Sequence, residues 1–567
     1  MSHRGLLVRL VTWGVSVAWA SATVFAQPVG AKELVADRFG GVGARVAKSS
    51  DSFRVQKVGN RWVFVTPDGY PFWMLGVFAV DETGSIDDLR DSYSNRILRK
   101  YGNKQTWAAQ TVKRLKLWGF NTLAEYASLY MWPVALYGGR GNSEKMPFVM
   151  MMRPSYYGLT NKDSYAPAPF KDLIAGTDES VYTGWRGNAT PDVFDPNFER
   201  YSQGWVKAIN QETLKSPWLI GVAVDDADNI VGFGPGPEIS APRIHPHIAW
   251  LVLVGNPQQV ANKRLQVTYA DTKVYSKHAL RDFLRAKYGT IGALNAAWGA
   301  TYTSWESEGG WPSGKGFLDE SGRGSWVGND FDRLTKSNAG VRSDLDEFLY
   351  QYARRYFSVL TDAVRKHAPQ ALVFGPATLN GWGGLTRRQI LKAAGESLDI
   401  LQATTRSQQV LDLTVKYAGD RPLIDWTGMV ANEDSALWRY RFEISAEVTP
   451  VVHTQQDRGR VYAKVVVGDF EATTATGVKP IAGIKFWSYT DSWGEKANWG
   501  LVSFLDNAYD GKEAVKAAGK SPAGYSTGGE ERDYGDFISA VRETALTLLQ
   551  RLRGELEQPR GMGNAGR

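Results

Sequence analysis

The sequence predicts an α/β fold, a (β/α)8 TIM barrel with a small N-terminal β lid and a long insertion after strand four. Two patterns carry this expectation. Eight short apolar runs alternate with stretches of helical spacing between residues 72 and 489, the order of a parallel sheet with crossover helices. The interval 225–342 is too long for an ordinary βα connection and too rich in helix-period segments for a linker, so it reads as an insertion. A chain of 567 residues suggests several domains by length alone. Barrels with insertions exceed about 400 residues, however, and residues 53–557 are read as one unit.

The first residues carry Arg4 and Arg9, then an apolar stretch from Leu10 to Phe25 that closes on Ala26 before Gln27. A charged head, an apolar middle and a small-residue end are the parts of a secretory signal peptide. Export with cleavage after Ala26 is therefore expected, leaving the mature chain secreted or periplasmic. Ser16, Ser21 and Thr23 interrupt the stretch, which falls short of the roughly 20 apolar residues of a membrane span. Residues 27–52 are polar. Phe53-Arg54-Val55 and Trp62-Val63-Phe64-Val65 read as two strands of the lid on the barrel floor, followed by turn chemistry at Pro67-Asp68-Gly69.

The barrel strands are expected at Phe72 to Phe78, Phe120 to Glu125, Phe148 to Arg153, Leu219 to Val224, Ala371 to Pro376, Leu398 to Ala403, Pro422 to Trp426, and Gly483 to Tyr489. Helical stretches lie between them at Gln105 to Leu117, Phe198 to Thr213, and Asp344 to Lys366. In the last of these Leu345, Phe348, Leu349, Tyr352, Tyr356 and Leu360 recur at helical period. The insertion holds helical runs at Ser276 to Lys287 and Leu294 to Trp298, then a Gly-rich loop from Ser307 to Val327. It is expected as a wall of the cleft on the C-terminal face, where barrel sites sit. The Gly-rich tail 558–567 is expected to be disordered.

Composition removes several function classes. With no cysteine, disulfides, thiolate catalysis and Cys-based metal sites are excluded. Six His are scattered, and the close pair His245 and His247 lacks a third ligand at useful spacing, so neither a metal nor another cofactor is expected. The formal charge of +7 becomes +5 once Arg4 and Arg9 leave with the signal. The basic residues are dispersed, which argues against a nucleic-acid partner. The 21 Trp, 25 Tyr and 23 Phe fill cores or present flat apolar faces to sugar rings, and composition cannot choose between those uses.

The segment Val58-Gly59-Asn60-Arg61-Trp62-Val63-Phe64-Val65-Thr66-Pro67-Asp68-Gly69-Tyr70-Pro71-Phe72 resembles the opening strands of agarase-like glycoside hydrolases. Leu117-Trp118-Gly119-Phe120-Asn121-Thr122-Leu123 and Phe194-Asp195-Pro196-Asn197-Phe198 do the same. The run from Phe283 to Thr290 with Leu294 to Trp298 is similar to β-galactosidase-type barrels. Thr454 to Gly459, Phe486 to Asp491, and Asn498 to Val502 extend the resemblance, which covers most of the chain between Phe53 and Val515. It implies a hydrolase whose general acid/base is a Glu just past strand four, preceded by Asn, and whose nucleophile is a Glu ending strand seven. Both positions depart here. The chain reads Val224-Asp225-Asp226-Ala227-Asp228 at the first, with Ala227 where the acid falls, and Ile424-Asp425-Trp426 at the second.

Glycoside hydrolysis needs two carboxyl groups, about 5–5.5 Å apart for retention and about 6.5–9.5 Å apart for inversion. The catalytic candidates at the expected strand ends are Asp226, Asp228 and Asp425. An Asp is one methylene shorter than a Glu, so two of them widen the gap and favour inversion. Asp225 fits a structural ion pair better. Glu125, Arg406, Trp426, Trp487, Asp491 and Trp493 are candidate sugar-binding residues, with Glu433, Asp434 and Glu495 on nearby loops. The reading that follows is a secreted glycoside hydrolase acting on a poly- or oligosaccharide. Two alternatives stay open: a barrel that only binds glycan, and a transglycosylase or other polysaccharide-modifying enzyme.

Overall fold

The computed structural model describes residues 34–84, 92–134, 144–173, 190–226, 247–256, 258–263, 265–321, 331, 335–376, 387–403, 407–427, 430–432, 451–491, 499–503, 505–508 and 534–557. Eight parallel strands form one sheet. In chain order they are strand one Met74–Val77, two Thr122–Leu123, three Phe148–Met152, four Leu219–Val224, five Leu372–Phe374, six Leu401–Ala403, seven Leu423–Thr427 and eight Ile481–Phe486. Their spatial order is 5-4-3-2-1-8-7-6. A parallel bridge between Phe374 and Ile400 closes the ring, reinforced by the Gly375 N–H donating to the Ile400 carbonyl at 2.8 Å. The expected barrel is therefore what the chain forms, and the fourth strand matches its expected limits.

Strands buried on both faces read as continuous apolar runs, as Leu219–Val224 and Ile481–Phe486 do, and every residue of both is buried. Around them the helices start on side-chain caps. Asn103 accepts from the Thr106 N–H to begin Lys104–Leu117, Asn338 from Val341 to begin Ala339–His367, and Thr454 from Asp457 to begin Gln455–Glu471. The long helix Ala339–His367 buries the apolar stripe read from the sequence against Pro196–Ala208 and Arg388–Ser397. Gln455–Glu471 packs on the C-terminal helix Gly535–Glu557.

The floor lid is a sheet of three strands. Arg54–Val58 pairs antiparallel with Arg61–Val65, which pairs with Pro71–Phe72. It is stitched to the approach of strand eight by the Trp62 N–H to the Lys479 carbonyl at 3.0 Å and the Lys479 N–H to the Asn60 carbonyl at 2.8 Å. Beneath it the guanidinium of Arg61 is buried over the Phe470 ring, donating to the Phe470 carbonyl at 2.8 Å and to Glu555 at 2.8 and 3.1 Å.

Two expectations need correction. The helix expected over Phe198 to Thr213 is two helices, Pro196–Ala208 and Gln211–Leu214, because Ile209 is extended (ψ 138°) and Asn210 caps the second through the Glu212 N–H. Strand two is shorter than Phe120 to Glu125, since its ladder is confined to Thr122–Leu123. The signal segment, the tail and much of the insertion lie outside the described residues. The described part of the insertion includes helices Ile248–Val254, Tyr275–Tyr288 and Ile291–Trp298, all of which pack on Ala339–His367.

Candidate active site at the barrel mouth

Glu125 comes from just beyond strand two, Gln402 from strand six and Lys485 from strand eight. These strands are not neighbours, so contact among the three side chains places them in the interior at the C-terminal end. Glu125 Oε1 accepts from Gln402 Nε2 at 2.7 Å and from Lys485 Nζ at 3.2 Å. Lys485 also donates to Gln402 Oε1, and Gln402 Nε2 reaches the Gly375 carbonyl at 2.7 Å. All three residues are fully buried. Burial pushes the Lys485 ammonium down from its ordinary range, while Glu125, Asp226 and Asp425 oppose that shift through their charge. Of these carboxylates Glu125 is the one in direct contact with Lys485. The second oxygen of Glu125, Oε2, is buried without a hydrogen-bond partner among the described residues.

Strand four ends at Asp225, whose backbone is left-handed (φ +62°). Its carboxylate is buried, accepting from the Ser155 N–H at 3.1 Å, the Ser155 hydroxyl at 2.5 Å and the Tyr356 hydroxyl at 2.6 Å. Burial raises its pKa to about 6, against the lowering effect of those hydrogen bonds. The structural role expected of Asp225 is filled chiefly by hydroxyl groups rather than by a directly bonded cation. Asp226, the next residue, is half-buried. It accepts a hydrogen bond from the Tyr126 hydroxyl and stands 3.8 Å from the Arg153 guanidinium.

Asp425 lies within strand seven, paired in register with Ile484 and Ala403, and is buried. Trp426 and Trp487 are half-buried and meet edge to face, with ring centroids 5.6 Å apart and planes at 86°. Phe78, past strand one, links the mouth: its centroid is 4.7 Å from Trp487, 5.2 Å from Tyr126 and 6.4 Å from Trp426, with Lys485 Nζ 5.0 Å above its face.

The remaining candidates divide. Asp491 is buried, accepting from the Gly500 N–H at 2.7 Å and the Tyr534 hydroxyl at 2.5 Å, with its pKa raised to about 6 by burial. These are the contacts of a carboxylate that holds a loop, and they argue against its reading as a sugar binder. Asp228, Arg406, Trp493, Glu433, Asp434 and Glu495 lie outside the described residues. Tyr126, Arg153, Gln402 and Lys485 were not singled out from the sequence. A signal was present for two of them: Lys485 and Gln402 interrupt apolar runs, Ile484-Lys485-Phe486 and Leu401-Gln402-Ala403, and a lone polar residue in a doubly buried strand must face partners.

No family model matches the chain. It is 24% identical over 440 residues to β-agarase B of a Vibrio species (strain JT0107), an alignment covering 74% of this chain and 37% of that protein. The chain therefore spans little more than a third of that relative's length. Among solved structures, an exo-β-agarase superposes with a TM-score of 0.62 at 18% identity, over 91% of this chain and 67% of that one. The protein described as BpGH50 gives a TM-score of 0.55 at 15% identity, over 94% of this chain and 91% of that one. The fold is that of these proteins, and the agarase-like resemblance read from the sequence is met by sequence and structural likeness together.

Proposed function

We propose that the chain is a glycoside hydrolase acting on a polysaccharide, with Asp226 and Asp425 as its carboxyl pair. The observation that carries the reading is the mouth itself, where Glu125, Gln402 and Lys485 from strands two, six and eight bond to one another, Lys485 lies over Phe78, and Phe78 meets Trp426, Trp487 and the Tyr126 that donates to Asp226. Chemistry at the C-terminal ends of barrel strands needs acids there, and sugars need aromatic faces beside them.

In the mechanism, protonated Asp226 gives its proton to the glycosidic oxygen as the bond to the anomeric carbon breaks. Ionised Asp425 takes a proton from the water that attacks that carbon, so one water is consumed and two hydroxyl-ended fragments leave. Tyr126, which donates to Asp226, orients the acid. Glu125, enclosed and bonded to Gln402 and Lys485, positions those side chains from below. Trp487→Ala or Trp426→Ala should weaken glycan binding by roughly 1–3 kcal/mol, the scale of a lost aromatic contact and its burial. Unchanged affinity with a lower melting temperature would make both rings core residues.

One observation favours a second reading. Asp226 is already engaged by the Tyr126 hydroxyl and by the Arg153 guanidinium at 3.8 Å, contacts that also suit a carboxylate with a structural task. With Ala227 at the position of the family's acid, a glycan-binding barrel without hydrolysis follows. A reducing-end assay on agarose and related galactans separates the two, since a binder retains glycan and releases no new ends. Export is part of the same reading, and N-terminal sequencing of secreted protein should begin at Gln27. Secreted protein still carrying Met1 would refute the cleavage site.

A further inference from the structure

The connection from strand two to strand three holds no α-helix among its described residues, only the 3-10 turn Leu129–Met131. Barrel strands are normally covered by a crossover helix at this point. Val149, Met150 and Met151 of strand three line a cavity of about 480 Å³, within the size range of small-molecule sites. Its walls include Tyr157, Tyr165 and Trp205, all half-buried, with Tyr126 and Arg153 at the mouth end and Thr213 near the floor. Thr213 is 1% exposed, and its hydroxyl has no hydrogen-bond partner among the described residues. Thr213 lines the cavity, and a guest that reaches its enclosed hydroxyl supplies the partner it lacks.

We propose that this cavity is a second sugar-binding pocket, taking a neutral oligosaccharide end on the strand-three flank of the mouth. Polar groups at both ends and aromatic faces between them match a ring with apolar C–H faces and peripheral hydroxyls, whereas a purely apolar guest leaves the Thr213 hydroxyl unpaired. The pocket shares two of its lining side chains with the surroundings of Asp226. Tyr126 lines it while donating to Asp226, and Arg153 lines it while standing 3.8 Å from Asp226 and 5.4 Å over the Tyr126 ring. A guest here lies against the two side chains that hold Asp226. The sugar class rests on the proposed polysaccharide reading of the mouth, and the choice of a galactan among the probes on the likeness to β-agarase B.

The test is calorimetric titration of the full chain with agarohexaose, and in parallel with cellohexaose and xylohexaose. Trp205→Ala should weaken binding about tenfold, the scale of a truncated aromatic anchor. Thr213→Val keeps the shape and removes only an unpaired hydroxyl, so it should weaken binding severalfold while the melting temperature holds or rises. Full affinity in both flank variants, with binding lost in Trp487→Ala, overturns the pocket and leaves the mouth reading standing. Wild-type silence toward agarohexaose, with binding of another hexaose that Trp205→Ala weakens, keeps the pocket and refutes the galactan. Silence toward all three sugars overturns both. Binding of the apolar dye anilinonaphthalene sulfonate that Trp205→Ala abolishes and no sugar displaces makes the pocket an apolar site instead.

Discussion

At the floor of the barrel the chain reverses on glycine, and at the mouth it reverses on residues that carry side chains. The lid hairpin turns at Gly59 (φ +64°) and the next turn at Gly69 (φ +92°). At the other end, strands one, two and four run out into Ala79 (φ +54°), Tyr126 (φ +61°) and Asp225 (φ +62°). A left-handed backbone costs a residue with a Cβ roughly 1–2 kcal/mol and costs glycine almost nothing. Such conformations persist where the surroundings over-determine them, and they gather at functional sites. Here Tyr126 is held by Phe78 and Asp226, and Asp225 by Ser155 and Tyr356. The floor is relaxed and serves stability, while the mouth is strained and positions side chains.

The largest effect expected from this division is at the mouth. Asp226→Asn or Asp425→Asn should lower turnover about 10²–10⁴-fold, the range of a lost general acid or base, with folding retained. The product's anomeric configuration, followed by NMR, should be inverted. Full activity in both variants would remove the pair, and retention of configuration would rule out the inverting geometry.

At the floor the corresponding change is Gly69→Ala. A Cβ there would meet the Ala47 carbonyl oxygen at 2.2 Å, on a backbone that side chains rarely adopt. The strain and the clash together should cost at least about 2 kcal/mol in a urea titration. Glycan affinity should not change. A loss of affinity at equal stability would mean that floor and mouth are coupled.

How much of this was legible in the sequence follows the same division. All eight strands could be read, because a doubly buried strand is an apolar run and Leu219–Val224 or Ile481–Phe486 leave little else to be. The ends of strands were harder. Strand two was read through to Glu125, but a left-handed residue at Tyr126 has no pattern that distinguishes it from further strand. Asp226 was legible as an acid past the end of strand four, Asp425 lies inside strand seven rather than at its end, and the Glu125–Gln402–Lys485 cluster was not legible. Its members come from strands two, six and eight, and only closure of the barrel brings them together. The break at Asn210 could have been found, since an Asn before Gln-Glu is a helix start signal.

A smaller effect is expected at Asp225 as pH changes. The folded pKa of Asp225, about 6, lies above its ordinary 3.8. The native carboxyl then holds a proton that the unfolded chain releases between those values, so its contribution to stability grows as pH falls from about 7 toward 4. Asp491, raised to about 6, and Asp192, raised to about 7, act with the same sign. Asp225→Asn should flatten the rise in melting temperature between pH 7 and pH 5. Equal slopes in wild type and Asp225→Asn would mean that Asp225 does not titrate in this window.

The smallest expected effect tests whether the mouth is strained at all. Ala79 sits at φ +54° with its N–H donating to the Glu125 carbonyl at 2.9 Å, so the turn it makes fixes the backbone of the residue that enters the acid cluster. Ala79→Gly removes a methyl group and frees the left-handed backbone. The unfolded chain gains freedom by the same change, which offsets roughly 0.5–1 kcal/mol of the relief. Stability should therefore hold or rise by up to about 1 kcal/mol, although a buried methyl is lost. A drop of more than about 1 kcal/mol in urea would show that Ala79 is packed rather than strained, and the contrast between floor and mouth would fail at that turn. Tyr126→Gly provides the control, because it relieves the same backbone while removing the hydroxyl on Asp226 and the ring on Phe78. If strain is kept at the mouth for the side chains it positions, Ala79→Gly preserves turnover and Tyr126→Gly does not.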